Sequence, residues 1–370
     1  MMSRRRADRP IVATREMVRR KRRRRAVAVL ALVALALAGV VWGTWRYIDE
    51  QEFLLDARCE VPVGEDRHTL SPEQAANAAL ISAMAVDRAL PQEAAADALG
   101  IALQESDLQM LEATEEQDAR ELFRRGSPSW SDDDAPAEAA ASVKGFYDAL
   151  ESAQDRDEDP WTPELSISEA ATALDRPMDP SFYPRHADRG RAFAGPLTGQ
   201  QPVGMTCHLS RKDAPPADPD GMAHELAELM PGALQVPEDA QAALEARIAD
   251  EDGESAEDED ADGDAEDAHL DEYGPILIDR AEASDDEADG GPEAGTVVTV
   301  TMPGADDEAD SDEEAAPTLQ RLWTVAHWAV ATADVHGTQS VHAGAYQWDR
   351  DTGRWARVDE VNDDAVTIGF

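Results

Sequence analysis

Read for the spacing of its apolar positions, the chain divides into one uninterrupted apolar run, a series of helical repeats and, towards the end, alternating stretches. Ala26 to Trp45, AVAVLALVALALAGVVWGTW, is twenty residues without a charge. That is about the length needed to cross a hydrocarbon core of ~30 Å, so a transmembrane helix is expected over 26–48. Ser71-Pro72-Glu73-Gln74 then supplies a hydroxyl cap, a proline at the first helical position, and acidic and amide residues. A helix is expected from there to about Arg88, with Ala75, Ala79, Ala83 and Val86 on one face. Leu90-Pro91 restarts a second helix that reaches about Met110, and others are expected at 136–151, 166–175 and 185–195. Strand signals are scarce between 59 and 207, so this segment is expected to be an all-α domain, large enough for its own core.

After residue 207 the composition shifts. Residues 208–272 read as a proline-rich and acidic linker with a short helix within it, and 273–370 as a small α/β domain. Gly274 to Ile278, Thr296 to Thr301, Ser340 to Trp348, Arg354 to Val358 and Ala365 to Phe370 have strand character. Thr318 to His336 reads as an amphipathic helix that Gly337 terminates. The expected unit is one helix on a mostly antiparallel sheet, with its acidic tracts as loop insertions. The expected fold class is α+β: a transmembrane helix, an all-α domain and this α/β unit.

Charge gives the chain a direction. Residues 1–25 hold twelve Arg or Lys against Asp8 and Glu16, a net of +10 that leaves −55 on the other 345 residues of a chain whose formal charge is −45. A basic tail before an apolar span, with Asp49, Glu50 and Glu52 after it, places the N-terminus in the cytoplasm and the bulk of the chain outside. The rival reading is a signal peptide cleaved at Ala36-Leu37-Ala38, but apolar residues continue to Trp45, which favours a retained single-pass anchor in the cell membrane. Next to a span, the basic tail suits anionic lipid rather than nucleic acid.

Residues 250–272 hold fourteen Asp or Glu among twenty-three and no Arg or Lys. Such runs repel themselves and lack apolar residues, so they are expected to be disordered. The stretch 258–263 resembles a calcium loop only at its start, because its twelfth position is His269 rather than glutamate. His327, His336 and His342 are too scattered for zinc, and no metal or cofactor is expected. Cys59 and Cys207, the only two cysteines, bracket a segment of distinct composition outside the membrane, so they are expected to form a disulfide.

The candidate chemistry lies at the end of the second helix. Ala95, Ala98, Leu99, Ile101, Ala102, Leu108 and Met110 define an apolar arc, and Glu93, Asp97, Gln104 and Asp107 lie opposite. Glu105 is the exception, because it projects between Ile101 and Ala98. Desolvation there disfavours the charged form, which is what a general acid near neutral pH requires. The alternative is that the last turn frays and Glu105 is solvated, and spacing does not decide between them.

The segment 70–78, Leu-Ser-Pro-Glu-Gln-Ala-Ala-Asn-Ala, and Ala102-Leu103-Gln104-Glu105-Ser106 resemble a family of actinobacterial membrane-anchored proteins. Their extracytoplasmic domain is similar to lytic transglycosylases and goose-type lysozymes. The likeness continues through Leu122-Phe123, Trp130, Phe146-Tyr147-Asp148 and 167–171 to Cys207. It implies a lysozyme-like fold over 59–207 and peptidoglycan as the target. It also implies Glu105 as catalytic acid, with Ser106, Leu122, Phe123, Trp130 and Tyr147 lining a sugar cleft. A lytic transglycosylase works with one such carboxylate, whereas most hydrolases need two.

The chain departs from the family in the groove. Glu121 stands where a glycine precedes Leu-Phe, and Arg124 and Arg125 stand where a glutamine follows. Two functions are therefore expected in this order. The first is a degenerate domain that binds peptidoglycan or an envelope protein. The second is an active peptidoglycan lytic transglycosylase or muramidase using Glu105.

Overall fold

Ser71 starts the main helical layer as its sequence prescribes. Its hydroxyl accepts from Gln74 N at 3.2 Å while the Gln74 side chain accepts from Ser71 N at 2.9 Å, a reciprocal cap that opens α1 (Pro72–Asp87). A computed structural model describes residues 57–110, 121–124, 139–252, 270–280, 295–304 and 312–370. The helices that follow are α2 (Gln92–Glu105), α3 (Ala139–Gln154), α4 (Ile167–Ala173) and α5 (Pro184–Leu197), close to the expected places. The second helix is shorter than expected. It ends at Glu105, and Asp107 and Leu108 follow with φ of 57° and 56°.

Helices α2 and α5 cross at very short range because small residues face each other. A methyl group added at Gly190 would lie 2.6 Å from the Ala96 carbonyl oxygen and 2.9 Å from Gly100 N. The alanine-rich α2 (QEAAADALGIALQE) is thus the partner of a glycine-bearing α5, and close backbone approach takes the place of large side chains.

The expectation of an all-α domain between the cysteines is corrected. Strands β1 (Arg58–Val63), β2 (Asp66–Leu70) and β3 (Thr206–His208) form an antiparallel sheet in the order β2-β1-β3. Its sequence signal is weak for physical reasons. Strand β1 buries Glu60 beside Cys59 and Val61, holding the carboxylate with Arg67 Nη1 at 2.7 Å, and Pro62 interrupts the alternation. Strand β3 is only three residues long, too short for any periodicity to register. Cys59 and Cys207 stand opposite each other on β1 and β3 and form the expected disulfide, 148 residues apart in sequence.

The transmembrane span at 26–48 and the basic tail before it lie outside the described residues. Among those described, no helix is long and apolar enough to cross a membrane. The described protein is therefore mixed, with two antiparallel sheets, and the lysozyme-like all-α assignment is withdrawn. The acidic runs expected to be disordered fall mostly outside the described residues as well. Three helices, α6 (Pro219–Leu229), α7 (Pro231–Leu234) and α8 (Glu238–Asp252), follow Pro215 and Pro216.

The second sheet has five antiparallel strands in the order β4-β5-β6-β8-β7. They are β4 (Leu270–Tyr273), β5 (Ile276–Asp279), β6 (Val297–Thr301), β7 (Ser340–Asp349) and β8 (Arg354–Gly369). What read as two strands at 354–358 and 365–370 is one long strand, and irregularities of register between His342 and Tyr346 on β7 accommodate it.

Helix α9 (Asp312–Ala331) packs on β7 and β8 and also on α1 and α5. It is followed by α10 (Ala333–His336), which Gly337 ends at φ +76°. Burial is continuous from Leu322 to Ala333, so α9 is a central element rather than an amphipathic cover. At Gly199, φ is +73° and a methyl group would collide with the Gln320 carbonyl oxygen, so the turn after α5 is fitted directly against α9. Ala57–Phe370 form one compact unit.

Candidate functional site

Glu105 is the last residue of α2 and is buried, with 1% of its surface exposed. Burial follows from the apolar arc, but what surrounds the carboxylate differs from the expected greasy pocket. Arg176, just after α4, donates from Nε to Oε1 at 2.9 Å and from Nη2 to Oε2 at 2.5 Å. The Tyr183 hydroxyl donates to Oε1 at 2.9 Å, and the Arg124 backbone N donates to Oε2 at 2.7 Å. Two donors on each oxygen use the whole acceptor capacity of a carboxylate. The paired Arg176 side chain is 5% exposed and forms a two-pronged ion pair of the strongest kind.

The surroundings lock this pair further. The Arg176 guanidinium lies 5.8 Å from the ring centre of Phe123 and 5.7 Å from that of Phe146, and these two rings stack at 4.1 Å. Arg176 Nη2 also donates to the Arg124 carbonyl at 2.7 Å, while Arg124 Nε donates to the Glu105 carbonyl at 2.8 Å. Burial, with the Glu105 charge beside it, pushes the Tyr183 hydroxyl far above the usual phenol range. Tyr183 is thus a fixed donor.

The other expected cleft residues do not line a groove. The Ser106 hydroxyl sits 2.8 Å from the Leu122 carbonyl and 3.0 Å from the Ala102 carbonyl, closing the turn. Leu122, Phe123 and Tyr147 are fully buried, and the Tyr147 hydroxyl donates to the Ile81 carbonyl at 2.9 Å. Trp130 and Arg125 lie outside the described residues. Gln74 and Asn77, from the stretch that carries the family resemblance, donate to the carbonyls of Asp107 at 2.8 Å and Leu108 at 2.9 Å. They hold the left-handed turn that follows Glu105.

No spacing or motif in the sequence singles out Arg176 or Tyr183. The one signal in the sequence that bears on them is Glu105 itself, because a carboxylate that is buried and charged needs a cation, and arginine supplies the best geometry for one. Which arginine it would be depended on how a connection between helices folds back, and spacing along the chain does not encode that.

Comparison of the chain with protein-family models, with curated proteins and with solved structures finds no match in any of the three.

A second acidic residue of α2 turns out to have an unusual setting. Asp97, expected on the polar side, accepts from the Trp161 indole Nε1 at 3.1 Å through Oδ2, and burial pushes its carboxyl up to about 6. It lines a small cleft of about 70 Å³ between α2, the loop before α4, and α5.

His327 on α9 is fully buried among Trp323, Trp355 and the end of α5. Burial lowers its ring to about 4, and the Pro196 and Trp323 backbones oppose that shift without a well-formed hydrogen bond to either nitrogen. Trp323 and Trp328 are core residues, 5% and 1% exposed. Among the described residues, no group of three or more His, Cys, Asp or Glu side chains is placed to hold a metal ion.

Proposed function

We propose that the protein is a membrane-anchored, extracytoplasmic component of the cell envelope whose folded part binds peptidoglycan or an envelope protein without cutting glycan. The observation that carries the non-cutting half is the set of four donors on Glu105. A general acid must hold a proton and aim it at a leaving oxygen. Here both carboxylate oxygens are turned inward on a guanidinium, a phenol and a backbone amide. The anchor and its direction rest on the apolar run and the charge asymmetry. The disulfide is consistent with an oxidising, exported setting. Peptidoglycan as the target rests on the sequence resemblance.

The test is to incubate purified full-length protein with sacculi, measure what is retained, and analyse the supernatant for reducing or 1,6-anhydro sugars. Retention without sugar release is expected. Sugar release that disappears in a folded Glu105→Gln variant would overturn the non-cutting reading, and absence of retention would remove peptidoglycan as the target.

A further inference from the structure

We draw no further inference here: the strongest candidate, the side-chain cluster at the joint of α6 and α10 where buried His336 meets Glu225 at 3.0 Å and Asp218 at 3.6 Å, joins elements of the fold to each other, and nothing among the described residues points to a ligand or a second conformation there.

Discussion

Two buried titratable side chains, Asp97 and His327, pull the stability of the fold in opposite directions as the pH changes. The folded state raises Asp97 from 3.8 to about 6, so it favours the protonated carboxyl. Its contribution is fully present below about pH 4 and is lost as the pH climbs through 6. His327 is lowered from 6.5 to about 4, so the fold favours the neutral ring. Its contribution is present above about pH 6.5 and is lost as the pH falls through 4. Each shift is worth roughly 3 kcal/mol at most, so between pH 4 and 6.5 the two nearly cancel. Asp97→Asn, which keeps an acceptor for Trp161, is expected to stabilise the protein by about 2–3 kcal/mol at pH 7.5 and by nothing near pH 4. His327→Phe is expected to flatten the acid side of the profile. Urea unfolding of the parent and both variants from pH 4 to 8 checks the pair of effects. Neither environment was legible in the sequence. Asp97 fell on the polar arc because the loop that brings Trp161 over it is non-local, and His327 gave no pattern at all.

The packing of whole elements decided which sequence signals could be read. Helices announced themselves through local devices such as the Ser71–Gln74 cap, the proline starts and the Gly337 stop, all within a few residues of one another. The β1–β3 pairing joins residues 148 apart, and one of its strands is three residues long, so nothing local announced it. Helix α9 looked amphipathic because half of what covers it comes from α1 and α5, far away in sequence.

The crossing of α2 and α5 is the element-scale feature most open to test. Gly190→Ala would place a methyl group against the backbone of Ala96 and Gly100, where no rotamer change gives relief. It is expected to destabilise the protein by about 1–3 kcal/mol, with a lowered midpoint in thermal unfolding. A variant as stable as the parent would mean that the two helices separate at no cost.

At the scale of the molecule, the Cys59–Cys207 bond ties the first described strand to β3, and β3 in turn meets the C-terminal sheet. Thr206 Oγ1 donates to the Gly353 carbonyl at 2.8 Å, and Trp355 Nε1 donates to the Met205 carbonyl at 2.8 Å. Closing a loop of this length restricts the unfolded chain, and in the chain-entropy model that is worth about 5 kcal/mol. Replacing both cysteines with alanine is expected to lower the free energy of unfolding by about 4–5 kcal/mol at neutral pH, measured by denaturant titration. A change below about 1 kcal/mol would show that the sheet contacts alone hold the ends together.

The central claim is that Glu105 is a structural anion locked to Arg176 rather than an acid waiting for substrate. The most direct measurement is the coupling free energy between them, from urea unfolding of the parent, Glu105→Gln, Arg176→Met and the double variant. Removing either partner alone strands a buried charge or its donors and is expected to cost about 3–5 kcal/mol. The double variant is expected to be much less destabilised than the sum of the two, with a coupling of about 2–3 kcal/mol. Additive losses, with Glu105→Gln as stable as the parent, would contradict the account.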